Sequence, residues 1–277
     1  MAKLLRKSLD GSLKPEHARA VETGIDVIGD IAIVKLAEPV KDKGGLVGET
    51  ILRTSRNVKA AFDQEGGLEG DFRLRRLRHL AGENRTLTTH RENGLRFMVD
   101  VEKCYFSPRL STERARIADL VEDGEVVLNM FAGVGPYSIT IAKRKRAEVH
   151  SNELNEIAYR LHLDNNRLNK VEPRMHMLNE DAMGLSESLG TRFDRILMPH
   201  PSQSDRFLGT AKKLLKKEGG WVHYYRHVSG ADVEEARGRL GEELHRILGE
   251  EVVFTSRKVR EIGPHYIELV ADIHVSG

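Results

Sequence analysis

A short apolar strand, Val126 to Phe131, runs into Ala132-Gly133-Val134-Gly135-Pro136 and then into an apolar stretch ending near Ala142. Two glycines at that spacing let the backbone turn sharply and approach a ligand closely. Pro136 suits the first helical position, where a missing N–H costs nothing. The positive end of the helix behind it would face an anionic group. A Gly-x-Gly pair alone is as readily a plain structural turn. Two acidic residues shift that balance. Glu153 lies 20 residues beyond Gly133, at the end of the next apolar strand, where a carboxylate can accept from both ribose hydroxyls of an adenosine. Asp181, in Asn179-Glu180-Asp181-Ala182 just past the third strand, is placed to accept from an adenine amino group. Either alone would read as a helix N-terminal charge. Together with Phe131, Gly133 and Gly135 they read as an adenosine site. Ser138 stands where a dinucleotide fingerprint has its third glycine, and Pro136 intrudes, so the methyl donor S-adenosylmethionine is favoured over NAD.

These residues need a scaffold that presents strand ends side by side. After Pro108, VVLNMF (126–131), AEVHSNE (147–153), RMHML (174–178), FDRILMP (193–199) and WVHYYR (221–226) read as strands. Ser111 to Leu120 reads as a helix with Ser111 as N-cap. Glu156 to Leu168 reads as another, with Ile157, Ala158, Leu161 and Leu168 on one face. Such alternation implies a parallel, doubly wound sheet. EVVFTSRKV (251–259) and HYIELVADIHV (265–275) are joined by too few residues for a crossover helix and must pair antiparallel.

The first part differs in character. Residues 14–23 read as a short helix, Ile25 to Leu36 as a hairpin broken at Gly29-Asp30, and 49–62 as a helix carrying Ile51, Leu52, Val58 and Ala61. FRLRRLRHLA (72–81) and RTLTTHRENGLRFMVDV (85–101) read as strands of an antiparallel sheet, with a hairpin turn at Glu92-Asn93-Gly94. The expected organisation is an α+β domain over 1–110 followed by an α/β domain over 111–277. The latter is an open parallel sheet with a terminal antiparallel hairpin, the Rossmann-like plan of class I methyltransferases.

Composition narrows the partners. A net charge of +2 with 31% charged residues excludes a uniformly polycationic chain but leaves room for local basic patches. The single cysteine, Cys104, excludes a disulfide framework and a CxxC knuckle, and no metal is expected. MAKLLRKSL is not followed by an apolar h-region, and no run approaches the roughly 18 apolar residues of a membrane span. A soluble, cytoplasmic protein without a membrane partner is expected, working as a monomer.

Three segments together carry a family resemblance: Phe106-Ser107-Pro108-Arg109-Leu110-Ser111-Thr112-Glu113-Arg114, Phe131-Ala132-Gly133-Val134-Gly135-Pro136 and Gly220-Trp221-Val222-His223-Tyr224-Tyr225. With Ala81-Gly82-Glu83 and Thr86 to Gly94, in order across most of residues 25 to 275, they resemble the archaeal and eukaryotic tRNA (guanine-37, N1)-methyltransferases. The resemblance implies methyl transfer from S-adenosylmethionine to N1 of the purine beside the anticodon, with tRNA bound through its anticodon loop. It places the general base at Glu113. Chemistry agrees, because guanine N1–H is a weak acid and N1 attacks well only as that proton leaves. Charge then moves towards O6, where a cation helps. The family's arginine for this role maps onto Arg73, and Tyr105 and Arg109 fall at positions used around the target nucleotide. Taken alone, Glu113 would be an ordinary first-turn carboxylate. Arg73 would be one of a run with Arg75, Arg76 and Arg78, a solvated face or a phosphate contact. The resemblance reverses both readings.

The chain departs from the family at two places. Asn129 stands where an aspartate is commoner, and the loop after the fourth strand is Pro199-His200-Pro201 instead of one bearing asparagine. Guanine would then be held by backbone carbonyls or by His200. A related branch transfers the aminocarboxypropyl group of the same cofactor to a tricyclic guanosine during wybutosine synthesis. That transfer, or methylation of a wybutosine intermediate, is the competing activity, and Glu113 favours methyl transfer to guanine. A non-catalytic RNA-binding protein of the same fold is the competing class, against which Glu113, Glu153 and Asp181 argue. Arg73 to Arg78 and Lys143 to Arg146 could meet phosphates, whereas Lys212 to Lys217 reads better as a solvated helix face. About 20 residues precede the first hairpin, so the tRNA-elbow contact made by an additional small domain in relatives is expected to be absent.

Overall fold

The computed structural model describes residues 24–277, so the helix expected over 14–23 lies outside the described residues. Gly29-Asp30 closes the expected hairpin: β1 (Asp26–Ile28) and β2 (Ile31–Val34) pair antiparallel, Ile28 opposite Ile31. A 3-10 turn, Glu38–Lys43, leads into α1 (Gly44–Thr54). The helix expected over 49–62 therefore starts earlier and stops sooner. Ser55 leaves helical geometry (φ −132°, ψ 85°), and from Ala60 the chain is strand β3 (Ala60–Glu69). Ala60 to Asp63 pair in parallel with Ile31 to Val34, which uses their backbone groups more fully than a further helical turn would. Val58 and Ala61 are still core residues, packed with Val47 and Ile51 of α1 and with Ala32 and Val34. The glycine-rich start of α1 has a steric reason. A Cβ on Gly48 would lie 2.7 Å from Leu80 Cβ, because the helix rests directly on β4 (Leu74–Gly82).

β3 and β4 pair antiparallel, giving the order β1-β2-β3-β4. β5 (Leu87–Glu92) and β6 (Leu95–Asp100) form a separate two-stranded sheet around the Asn93-Gly94 turn. The expected single antiparallel sheet is thus two sheets, and the larger is mixed because the crossover through α1 brings β3 parallel to β2. Gly82 ends β4 at φ +80°, where a Cβ would come within 2.1 Å of the Lys59 carbonyl oxygen. Gly82→Ala should cost about 3 kcal/mol through left-handed strain plus the clash, read as a lower denaturant midpoint. An unchanged midpoint would contradict this backbone geometry.

Two compact units result. One runs to Ser111 and takes in Arg160–Leu168, and the other comprises Thr112–Tyr159 and Asn169–Gly277. α2 (Ser111–Leu120) follows a 3-10 turn, Pro108–Leu110, so Ser111 is already helical (φ −58°, ψ −40°) and is not an N-cap. Pro108 sets that turn by fixing its own φ. In the second unit β7 (Val126–Asn129), β8 (Glu148–Asn152), β9 (Met175–Leu178), β10 (Arg195–Met198) and β11 (Gly219–Ser229) are parallel. β12 (Val253–Gly263) and β13 (Tyr266–Ser276) close the sheet antiparallel, in the order β12-β13-β11-β10-β7-β8-β9. This is the parallel sheet with a terminal hairpin that the sequence implies.

α3 (Pro136–Arg144) and α4 (Glu156–Asn169) follow β7 and β8. The buried side of α4 is not the expected apolar set: Ile157 is 44% exposed, whereas Ala158, His162, Asn165, Asn166 and Asn169 are buried. Asn165 supplies one reason. Its side chain donates to the Met98 carbonyl (3.0 Å) and accepts from the Met98 N–H (2.6 Å), completing the open edge of β6. α5 (Leu185–Leu189), α6 (Ser204–Leu214) and α7 (Val233–Leu248) contribute Leu185, Leu208, Leu214, Leu240 and Leu244 to a core with Val222, Tyr224, Leu269 and Ile273 of β11 and β13. Alternation along those two strands sends His223, Tyr225 and His227, opposite Asp272, Val270 and Glu268, to the other face. Among the described residues no helix is long and apolar enough to cross a membrane.

Candidate active site

The loops that follow β7, β8, β9 and β10 share the carboxyl edge of the parallel sheet, where open α/β sheets bind ligands. In the first loop Gly133 and Gly135 are both left-handed (φ +56° and +92°), and Gly135 begins α3 with no side chain capping it. Pro136 occupies the first turn, so the helix end presents its N–H groups and positive dipole to the loop. Glu153 fastens the turn. Its Oε2 accepts from Gly133 N–H (2.6 Å) and its Oε1 from Asn155 N–H (2.8 Å). Burial raises the Glu153 pKa against the pull of those two donors. Each oxygen keeps a second lone pair for a ribose hydroxyl. Asp181 is exposed, and among the described residues its Oδ1 accepts from Met183 N–H at 2.9 Å. This residue set fits an adenosine: two carboxylates for its hydroxyl and amino donors, and a helix end for an anionic group.

Two asparagines hold these loops in register, and sequence reading assigned them no role. Asn129 donates to Ser138 Oγ (3.0 Å) and accepts from Phe131 N–H (3.3 Å). The Asn129 amide thus ties the end of β7 to Ser138 of α3, the residue that breaks the dinucleotide fingerprint. Asn152 donates to the Glu180 and Met130 carbonyls (3.0 and 3.3 Å) and accepts from Glu180 N–H (3.1 Å). Phe131 packs against the rings of His200 (5.2 Å) and Phe207 (4.9 Å), which brings the fourth loop to the first. In that loop the His200 carbonyl accepts from Ser204 Oγ (2.9 Å) and Gln203 N–H (3.2 Å), and Pro201 O accepts from His227 N–H (3.1 Å).

Glu113 is buried (6% exposed) in the first turn of α2. Its Oε1 accepts from Arg116 Nη2 (2.7 Å) and Tyr225 OH (2.8 Å). Among the described residues Oε2 receives one donor, Arg116 Nε (2.9 Å). One lone pair of Oε2 is therefore left to take a proton. A first-turn carboxylate serving only the helix dipole would be solvated, and this one is not.

The first unit gathers the other expected residues. Arg73 is not part of a solvated face. It is buried, left-handed (φ +54°), and its guanidinium lies 4.5 Å from the centre of the Tyr105 ring. Left-handed backbone at a non-glycine residue is a strained feature that clusters at functional sites. Arg75 holds the backbone next to Tyr105: it donates to the Phe106 carbonyl (3.1 Å) and to Gln64 Oε1 (3.1 Å). Arg109 is half exposed and pairs with Asp26 at 2.8 Å. Of the Arg73 to Arg78 run, Arg78 pairs with Asp63 (2.8 Å) and Arg76 is the exposed member, so as a phosphate-contacting stripe the run is reduced to its outer residues.

Lys143 to Arg146 and Lys212 to Lys217 end helices that run back from the site, so they lie at the amino edge of the sheet. Arg144 and Arg146 pair with Asp119 and Asp123 (2.9 Å each) and Lys216 with Asp194 (2.6 Å). Among the described residues Glu148, His150 and His176 have ligand atoms within 4.8 Å of one another. Both histidines and Arg192 converge on Glu148 Oε1 (2.8, 3.4 and 3.0 Å), which accounts for the grouping as an ion cluster.

Comparison with known proteins agrees with this geometry. Residues 88–252 match the model of the TRM5/TYW2 methyltransferase domain, and residues 5–86 match that of the TYW2 N-terminal domain. The chain is 37% identical over 262 residues to tRNA (guanine(37)-N(1))-methyltransferase Trm5b of Pyrococcus abyssi, covering 94% of this chain and 77% of that one. It is 31% identical over 251 residues to tRNA 4-demethylwyosine(37)-methyltransferase Taw21 of Saccharolobus solfataricus, covering 90% and 92%. The complex structure of aTrm5 and tRNALeu superposes with a TM-score of 0.85 at 32% identity, covering 100% of this chain and 79% of that one. Methanocaldococcus jannaschii Trm5 in complex with adenosine superposes with a TM-score of 0.81 at 31% identity, covering 99% and 78%. A nucleotide turn with its paired carboxylates, a buried glutamate beside it and this breadth of similarity have one reading: the chain belongs to the TRM5/TYW2 methyltransferase family.

Proposed function

We propose that this protein methylates N1 of guanine-37 in tRNA, using S-adenosylmethionine. The observation that carries the reading is Glu113, buried and, among the described residues, fixed by three hydrogen bonds that leave a lone pair of Oε2 for a proton. The cofactor supplies a methyl group activated on sulfonium. Gly133, Gly135, Glu153, Asp181 and Phe131 hold it, the two carboxylates taking its ribose and adenine donors. Glu113 takes the N1 proton as N1 attacks, and Arg73 balances the charge that moves to O6. Tyr105, by stacking under Arg73, keeps that cation in place. Tyr105 and Arg109 stand around the target nucleotide. The Pro199-His200-Pro201 loop orients guanine, and its backbone is set by the Ser204 Oγ and Gln203 N–H donors to the His200 carbonyl. Residues 1–110 form the tRNA-contacting domain for the anticodon loop and 111–277 the catalytic domain, working as a monomer in the cytoplasm.

A specific observation supports a second reading. The match of residues 5–86 to the TYW2 N-terminal domain and the similarity to Taw21 fit methyl transfer to a wybutosine intermediate at the same tRNA position. The first reading is tested with labelled cofactor and two transcripts that differ only at position 37. Guanosine-37 should take label and adenosine-37, which presents an amino donor to Arg73 where guanine has O6, should not. Equal labelling of both, or none of guanosine-37, would sink it.

A further inference from the structure

The Glu113 carboxylate is one end of a continuous, largely buried chain of charged groups within the second unit. Arg116 uses two edges of its guanidinium. Nε and Nη2 face Glu113, while Nη1 and Nη2 donate to Asp272 Oδ2 (2.6 Å) and Oδ1 (3.2 Å). The group is planar and rigid, so fixing one edge fixes the other. Asp272 is held in turn by His223 Nδ1 at 2.6 Å. His223 Nε2 lies 2.8 Å from Arg195 Nη1, and a guanidinium only donates. Nε2 is therefore the acceptor, the proton is on Nδ1, and the imidazole is neutral. Burial pushes the His223 pKa down in the same sense, against Asp272. Burial alone would raise Asp272, but the hydrogen bonds from His223 and Arg116 outweigh it and hold its pKa at about 2. Arg195 is anchored by Glu125 (2.7 and 2.8 Å) and donates to the Leu120 carbonyl (2.9 Å). Arg116 thus fixes the first turns of α2 and Arg195 its last residue.

Three carboxylates and two guanidiniums with a neutral imidazole leave one surplus negative charge. The chain can take up a proton at Glu113 without exposing an unpaired cation. Arg116 facing Glu113 alone would direct its whole charge at the base and weaken it. With Asp272 on the opposite edge, that charge is divided.

We propose that Asp272, held by His223, is a positioning residue for methyl transfer. Through Arg116 it aims the Glu113 carboxylate and limits how much of the guanidinium's charge that carboxylate receives. The inference rests on Glu113 being the base. Tyr225 on β11 and Tyr137 on α3 share the Glu113 neighbourhood, with Arg114 on α2 and Glu268 on β13 acting on Tyr137, and among the described residues the second carboxylate that Arg116 bridges to is Asp272.

The test is single-turnover methyl transfer to a guanosine-37 transcript across pH. Asp272→Asn should lower the plateau rate about tenfold with tRNA and cofactor affinities within about twofold. Its acidic limb should move to lower pH, because all of Arg116's charge then falls on Glu113. In a Glu113→Gln background Asp272→Asn should change the rate no further. A merely structural residue would alter folded fraction or affinity and leave the limb in place, which would overturn the proposal, as would an unchanged plateau. Should Asp272→Asn fail to fold, His223→Phe, which leaves Asp272 charged but free to turn, should lower the plateau with the acidic limb in place, and His223→Asn, which retains a donor towards Asp272, should restore the rate. Failure of both signs overturns the proposal. Full activity of Glu113→Gln would instead overturn the base assignment itself.

Discussion

Glu113→Gln is expected to slow single-turnover methyl transfer by about 10²- to 10⁴-fold while leaving S-adenosylmethionine affinity within about twofold. The amide keeps the shape of the side chain but cannot accept a proton usefully. Its one oxygen can still face Tyr225 OH and Arg116 Nη2, so the site is not emptied. The amide nitrogen would confront Arg116 Nε, donor against donor, where a carboxylate oxygen now accepts. Some loss of stability, about 1–2 kcal/mol, should accompany the catalytic loss. Rapid-quench kinetics with labelled cofactor and calorimetric titration separate the two. Equal loss of rate and cofactor binding would mark Glu113 as a structural carboxylate.

The second large effect belongs to Glu153. Glu153→Ala should weaken S-adenosylmethionine binding by about 10²-fold, the worth of two hydrogen bonds to a charged acceptor. The backbone adds to the loss, because Gly133 N–H would forfeit its 2.6 Å acceptor and the turn its fastening to the end of β8. Glu153→Gln retains one acceptor oxygen and should lose less. At saturating cofactor both variants should transfer methyl within about threefold of the parent rate, since Glu153 is not assigned to the reacting atoms. Titration of each variant with S-adenosylmethionine checks this, and an unchanged affinity for Glu153→Ala would remove the adenosine assignment.

What was legible in the sequence was local. Gly133-Val134-Gly135-Pro136 encodes its turn within a few residues, because two left-handed glycines followed by a proline admit few backbone paths. Gly29-Asp30 and Asn93-Gly94 mark their hairpins in the same way. The sheet of the second unit followed from strand and helix alternation. What escaped depended on distant partners. The boundary between α1 and β3 is set by β2, and Val58 and Ala61 fit either state until that pairing is known. The polar face of α4 makes sense only once Asn165 meets Met98, 67 positions away in the chain. Arg116 and Asp272 are 156 positions apart, and His223 and Asp272 are 49 apart. Three such residues form no motif, so the resemblance that located Glu113 could not show what holds it.

The most direct measurement of the central claim is the identity of the modified nucleoside. The protein, with cofactor carrying a deuterated methyl group, is given tRNA bearing guanosine-37 and, separately, tRNA bearing 4-demethylwyosine-37, and each digest is resolved by mass spectrometry. Labelled 1-methylguanosine is expected from the first tRNA, greatly reduced by Glu113→Gln. Label appearing only on the tricyclic nucleoside, an aminocarboxypropyl adduct, or 1-methylguanosine formed at full rate by the Glu113→Gln protein would contradict it.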